Sequence, residues 1–335
     1  MKTNIGFTGI TGMLGKNFLD YYFDNPDLTE KYNIKGISRG NVDVLKNNYK
    51  DKFDRIKFSN IDYSNKESIK SAISDLDILI HAAGVTKAKN FSQYETGNVE
   101  VTKNLLEEAL LLPSLKYFVY ISTQAVLGPS EKPLKENSYL NPISNYGKSK
   151  AIAEELIKKK AKKWVIIRLP TIFGKYEYDS LKLFQIASKR IVLNTSWNDF
   201  TLSYILAKDA VELLFKLIDL LCDNKIENEI LHFCYDQPIE IKEFMKSIIS
   251  LDNKNPLINL NIPKFVFKIA SVITFFNSLL KEKVQIINSD KIKEFINTKW
   301  LISNEYTKKL LNIDKIEKRA KIEDIYNWYK EQRLI

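Results

Sequence analysis

Residues 7–15 read FTGITGMLG, with Gly9, Gly12 and Gly15 at every third position, in a chain that has only 11 glycines among 335 residues. Two readings compete for such a stretch: a plain tight turn, or a loop that cradles a phosphate. A glycine motif gains meaning when it follows a strand and opens a helix. Here residues 4–8 have strand character and a helical pattern begins at Leu14. In the phosphate reading Gly9 turns the chain sharply, Gly12 lets a pyrophosphate approach the main chain, and Gly15 lets helix and strand pack closely. The phosphate then faces the positive end of the helix.

Outward from the loop, short apolar runs alternate with amphipathic segments. Strands are expected at 4–8, 33–38, 55–59, 77–82, 116–122 and 163–168, and helices near 14–24, 65–74, 91–112 and 144–161. Strands spaced by helices imply right-handed crossovers and a parallel sheet buried on both faces. DILIHAA and KYFVYIS are nearly all apolar, as such strands require. The fold class is therefore α/β, a doubly wound parallel sheet of Rossmann type. After about residue 175 the alternation loosens, although a helix at 207–221 and a strand near 229–235 fit the sheet. Residues 1–174, joined by 205–236, are expected to form a dinucleotide-binding domain. Residues 175–204 and 237–335 are expected to form a smaller, mainly helical substrate lobe.

Composition excludes several classes. The net charge of +10 suggests nucleic acid, yet only six of the 51 basic residues are arginines, and lysine is spread throughout. The densest run, KKKAKKW at 158–164, ends an amphipathic segment and lacks the interleaved aromatics that stack bases. No nucleic-acid partner is expected. Cys222 and Cys234 form no CxxC, so no metal site is expected and a reducing compartment suits them. No secretory leader pattern precedes the first strand. The apolar stretch 265–280 carries Lys268 and is shorter than the ~20 residues of a membrane span. The expectation is a cytoplasmic protein with no membrane span, and with 265–280 as core.

Further stretches fit a bound dinucleotide. HAAG (81–84) ends a strand with small residues where bulk would collide with a nucleotide, and DYSN (62–65) puts Asp62 where a carboxylate can accept from an adenine amino group. Asn98 stands at the inner end of a helix. Buried alanines, a helix cap at Asp62 or Ser64, and a polar helix residue are the alternatives for each alone. NYGKSK (145–150) puts Tyr146 and Lys150 four apart on one helix face. An ammonium beside a phenol favours the phenolate, which can exchange a proton with a carbinol while hydride moves to or from a nicotinamide. YISTQAVLG (120–128) supplies Thr123 at the carboxyl end of a central strand, where open α/β sheets bind ligands. Where strand two ends, Ser38 and Arg39 replace the acidic residue of an NAD-selective site and suit a 2′-phosphate, so NADP(H) is expected over NAD(H).

Together TGITGMLG, Asp62, HAAG, Asn98, STQAVLG, the Tyr146–Lys150 pair, RLPTIFG (168–174) and SYILAKDAVELL (203–214) resemble the extended short-chain dehydrogenase/reductases of the epimerase/dehydratase branch. The resemblance implies Thr123, Tyr146 and Lys150 as the catalytic trio, with Lys150 also on the nicotinamide ribose and Pro170 beside the nicotinamide. It implies cofactor contacts at Gly9, Thr11, Gly12, Met13, Leu14, Gly15, Arg39, Asp62, Tyr63, Ala82, Ala83 and Gly84, and substrate contacts at Thr123, Thr171 and Lys175. Where the family's 4,6-dehydratases carry Asp-Glu after the threonine, this chain has Gln124 and Ala125, which disfavours dehydration. Thr171 stands where a family asparagine meets the substrate diphosphate, and Lys175, Lys182 and Arg190 follow as available cations. The implied activity is a C4 ketoreductase or epimerase of a nucleotide-linked sugar. A reductase of a steroid-like or flavonoid-like ketone is the alternative enzyme, and a non-catalytic NAD(P)-binding sensor is the non-enzyme one. Homodimers are common in the family.

Overall fold

The structure is a computed structural model that describes residues 2–195, 199–263 and 289–335. The stretch 265–280 therefore lies outside the described residues. Seven strands, numbered here along the chain, form the central sheet: β1 (Thr3–Thr8), β2 (Tyr32–Ser38), β3 (Lys57–Asn60), β4 (Ile78–His81), β5 (Tyr117–Thr123), β6 (Trp164–Leu169) and β7 (Glu229–His232). Their order is β7-β6-β5-β4-β1-β2-β3, and every neighbouring pair is parallel. This is the doubly wound sheet the alternation implies. Strand order reverses between β1 and β4, so a crevice opens at their carboxyl ends, the place where such sheets take ligands.

Strand periodicity divides the core in two. Ile78, Ile80, Val119, Val165 and Ile167 join one apolar cluster, while the intervening Leu79, Phe118, Tyr120 and Ile166 join the other. Helices α1 (Met13–Asp24) and α5 (Ala207–Cys222) cover the first face, where Phe18 stacks on Phe215 with ring centroids 4.7 Å apart. Helices α2 (Lys66–Ile73), α3 (Val101–Ala109) and α4 (Asn145–Lys160) cover the second through Ile69, Leu105 and Ile157. Asn65 and Ser144 cap α2 and α4 by accepting the N–H groups of Ser68 and Gly147, both at 3.1 Å. The lysine run closes α4, where it favours the helix dipole, and Lys160 pairs with Glu107 at 3.1 Å.

Three expectations change in detail. The helix near 91–112 is broken into a short turn (Phe91–Tyr94), a wider π turn (Glu95–Glu100) and α3. Gly97 presses on Val85, and the extra residue of the π turn rotates Asn98 inward, where it is 1% exposed. The last sheet strand stops at His232: the Phe233 N–H still reaches the Arg168 carbonyl at 3.4 Å, but the Tyr235 N–H turns to the Tyr204 carbonyl at 3.1 Å. A four-stranded side sheet joins Ser130–Leu134, Thr201–Leu202, Ile239–Glu240 and Lys299–Ile302, and Ile191–Thr195 pairs with Ile258–Ile262. These strands are too short or too irregular for periodicity to announce them. The first apolar cluster runs without a break from Ile5 and Phe7 to Phe244 and Tyr329. Among the described residues no helix is long and apolar enough to cross a membrane.

Candidate active site

At the end of β1 the backbone of Gly9 has φ of +75°, and a Cβ there would lie 3.0 Å from the Ala83 main chain. A Cβ on Gly15 would lie 2.4 Å from the Ile10 carbonyl oxygen, so the helix meets the loop after β1 as closely as glycine permits. A Cβ on Gly12, by contrast, would meet only the Gly9 carbonyl, at 3.1 Å. Space in front of Gly12 is open, and Gly12 begins α1 without a side-chain cap. The first N–H groups of a helix have no acceptor within it, so Met13, Leu14 and Gly15 present donors and a positive dipole end to that space. This cradle fits a pyrophosphate.

Around the cradle, Ala82 and Ala83 donate their N–H groups to Thr8 Oγ1, both at 3.1 Å, and the Asn98 amide closes on Gly84 and Val85. Thr11 Oγ1 lies 3.3 Å from Ser38 Oγ. Asp62 accepts from the Ser64 N–H (2.9 Å) and hydroxyl (2.7 Å), and these bonds hold its carboxyl below the usual range. Asp62 thus shapes its own turn, while Asn65 is the helix cap. Burial pushes the neighbouring Tyr63 phenol up to about 12. Arg39 is exposed, and the Ser38 oxygen accepts from Gly40 N–H at 3.2 Å.

The residues of the expected trio are carried by β5 and by the first turns of α4, two elements that pack together. Thr123 Oγ1 accepts from Ala125 N–H at 3.2 Å, which leaves its hydroxyl hydrogen without an acceptor among the described residues. A Cβ on Gly147 would lie 2.5 Å from the Ala125 carbonyl oxygen, so the first turn of α4, with Tyr146, lies directly against the residues after Thr123. Lys150 is buried, donates to the Ile121 carbonyl at 2.7 Å and lies 4.0 Å from the Tyr120 ring centroid. Burial lowers its ammonium to about 7, against the opposing pull of Glu154.

Sequence reasoning missed several groups. Glu154 continues the Tyr146–Lys150 helix face by one more turn and takes a forked ion pair from Arg168, with both side chains at most 1% exposed. Its spacing was a visible signal. Tyr94 lies 6.2 Å from Tyr146, ring centre to ring centre. Lys87, after β4, forms an ion pair with Asp179 and so ties the crevice edge to the segment that leaves the sheet after Gly174. Gln124 Oε1 is buried with no partner among the described residues.

Pro170 is buried at the turn between β6 and Thr171–Phe173, which pairs with Tyr204–Leu206. The three cations that follow are not gathered at Thr123. The Lys175 carbonyl accepts from Asn17 at 3.0 Å and its charge lies beside Asp20 on α1. Lys182 is exposed on Leu181–Ser188, and Arg190 donates to the Asn255 carbonyl at 2.8 Å.

A model of the NAD dependent epimerase/dehydratase family matches residues 5–224. The chain is 29% identical over 113 residues to an uncharacterized UDP-glucose epimerase of Bacillus subtilis (strain 168), covering 31% of this chain and 35% of that relative. The chain thus spans about a third of that relative's length. It is 25% identical over 319 residues to the N-acetyl-alpha-D-glucosaminyl-diphospho-ditrans,octacis-undecaprenol 4-epimerase of Escherichia coli O157:H7, covering 89% of this chain and 87% of the other. The fold matches the UDP-glucuronic acid 4-epimerase of Bacillus cereus, solved in complex with NAD, with a TM-score of 0.74 and 18% identity over 98% of this chain and 99% of that one.

Proposed function

The chain belongs to the NAD dependent epimerase/dehydratase family, enzymes of the extended short-chain dehydrogenase/reductase type, and on that premise we propose that it inverts C4 of a sugar carried on a diphosphate. The observation that supports this reading is that the first turns of α4, which carry Tyr146 and Lys150, pack against the end of β5, which carries Thr123. NAD, when bound, supplies the hydride chemistry at C4. Gly9–Gly15 would hold its pyrophosphate and Ala82–Gly84 its flank, with Asp62, Tyr63 and Pro170 at the edges.

Tyr146 removes the proton from the C4 hydroxyl and returns one to the C4 oxygen after the ring presents its other face. Lys150 lies one helical turn away, and its ammonium favours the phenolate that accepts that proton. The hydroxyl hydrogen of Thr123 steadies the same oxygen. Gln124 and Ala125 offer no acid or base for water elimination, which supports epimerisation or ketoreduction over dehydration. The lobe expected from 175–204 and 237–335 would cover the sugar side, with Thr171 as the proposed diphosphate contact.

NAD(H) is the cofactor we propose. The NADP(H) preference expected from Ser38 and Arg39 gains no support from the proteins that the chain resembles. The family description and the solved neighbour both name NAD.

A second reading concerns the carrier. The relative matched over 87% of its length acts on a sugar linked to a polyprenyl diphosphate. Leu257, Ile258 and Leu260 are exposed on or beside the edge strand Ile258–Ile262, as a lipid-facing surface would be. Thermal-shift screening with UDP, GDP, dTDP and CDP in the presence of NAD separates the carriers. A ligand specific to the native state adds roughly 2.7 kcal/mol at a hundredfold excess over Kd. One nucleoside diphosphate that raises the midpoint supports a nucleotide carrier. No response to any of them, with turnover of a polyprenyl-diphosphate sugar in detergent, moves the substrate to the lipid. Turnover of steroid or flavonoid ketones alone overturns the sugar reading.

A further inference from the structure

His81 ends β4 fully buried, and both ring nitrogens are engaged: Nδ1 lies 2.8 Å from Thr8 Oγ1 and Nε2 lies 3.0 Å from Thr102 Oγ1. The direction of each bond follows from counting hydrogens. Thr102 has one hydroxyl hydrogen, and it goes to the Asn98 carbonyl at 2.6 Å, which can only accept. Nε2 must therefore carry the imidazole hydrogen and donate it to Thr102. Burial, then the nearby Lys150 charge, lowers the imidazole to about 3, so the ring is neutral and Nδ1 is a bare acceptor. Thr8 must donate to it, and the lone pairs of Thr8 Oγ1 are left to accept the N–H groups of Ala82 and Ala83.

We infer that His81 and Thr8 are positioning residues that set the width of the dinucleotide crevice, by locking the Ala82–Val85 turn against Gly9 and coupling it to the catalytic helix. The lock acts at both ends of the turn. Thr8 holds Ala82 and Ala83, whose main chain lies 3.0 Å from where a Gly9 Cβ would stand. Asn98 holds Val85 through its N–H (2.7 Å) and carbonyl (3.0 Å). His81 joins the two, because its Nε2 reaches Asn98 through Thr102. The chain then continues, as the Asn98 amide donates to Ser149 Oγ at 2.9 Å and Ser149 donates to the Tyr146 carbonyl at 2.8 Å. A shift of the crevice wall is thereby transmitted to the turn that carries Tyr146. This inference rests on the dinucleotide reading proposed above.

The test is calorimetric titration of the full chain with NAD, using wild type, Thr8→Ser, Thr8→Val, His81→Asn and His81→Leu, with thermal midpoints measured alongside. Thr8→Ser keeps the acceptor and should bind NAD like wild type. Thr8→Val leaves two N–H groups without their acceptor and should weaken NAD about tenfold or more. His81→Asn offers an amide oxygen near the place of Nδ1 and should bind more tightly than His81→Leu. Thr8→Val binding NAD like wild type, or Thr8→Ser binding as weakly as Thr8→Val, overturns the inference. If Thr8→Val does not fold, equal affinities of the two His81 variants overturn it. A wild type that binds no NAD overturns the dinucleotide reading first, and the inference with it.

Discussion

Glu154→Gln removes one charge from an ion pair that solvent does not reach. Arg168 donates from Nε to Oε1 at 3.1 Å and from its terminal nitrogen to Oε2 at 2.8 Å, and Ser122 donates to Oε1 at 2.5 Å. The second guanidinium nitrogen is already committed to the Glu136 carbonyl at 2.9 Å. Glutamine keeps one acceptor oxygen and turns an N–H₂ group toward the other guanidinium contact, so the arginine charge is left uncompensated. Breaking a buried pair in this way costs about 3–5 kcal/mol. With roughly 2–4 °C per kcal/mol for a sizeable domain, the midpoint should fall on the order of 10 °C. Thermal unfolding followed by circular dichroism on the apo protein reads this. The double replacement Glu154→Leu with Arg168→Leu should recover part of the loss, since both charges are then gone. A midpoint for Glu154→Gln close to wild type would refute the pair's role.

Three more outcomes follow from the geometry. Burial lowers Lys150 to about 7, from 10.5 in an exposed chain, so between those values the unfolded chain binds the extra proton. Apo stability should therefore gain from this residue as pH rises from 7 to 9, and Lys150→Met should flatten the rise in midpoint. Gly15→Ala puts a methyl 2.4 Å from the Ile10 carbonyl oxygen and should cost about 1–3 kcal/mol in denaturant unfolding, with weaker NAD binding. Arg39→Ala should leave the NAD affinity unchanged by titration, because the guanidinium is exposed and NAD carries no 2′-phosphate for it to meet.

Much of this architecture was legible because it rests on local rules. Buried parallel strands need apolar residues on both faces, and β4 and β5 show them. The loop at Gly9, Gly12 and Gly15 announced itself because no other residue fits the positive φ at Gly9 or the contact at Gly15. Tyr146 and Lys150 were visible through helical spacing, and Glu154 would have been by the same spacing carried one turn further. The partners Thr8, Thr102, Ser149 and Arg168 were not legible, since their roles depend on strand order and on which neighbour carries each hydrogen. The π turn at Glu95–Glu100 was hidden for a related reason: Gly97 and Asn98 respond to Val85, which is distant along the chain. The cations after Thr171 matched a charge requirement in sequence, but folding sends Lys175 to Asp20 and Arg190 to Asn255.

Proton NMR of the sugar ring, recorded with NAD and either UDP-glucose or UDP-N-acetylglucosamine, tests the central claim most directly, with wild type and Tyr146→Phe compared. The proposal predicts that wild type interconverts the C4 epimers of one of them without net formation of NADH. Tyr146→Phe should be slower by on the order of 10²–10⁴, with its NAD affinity kept. A Tyr146→Phe variant that epimerises at the wild-type rate would contradict the account.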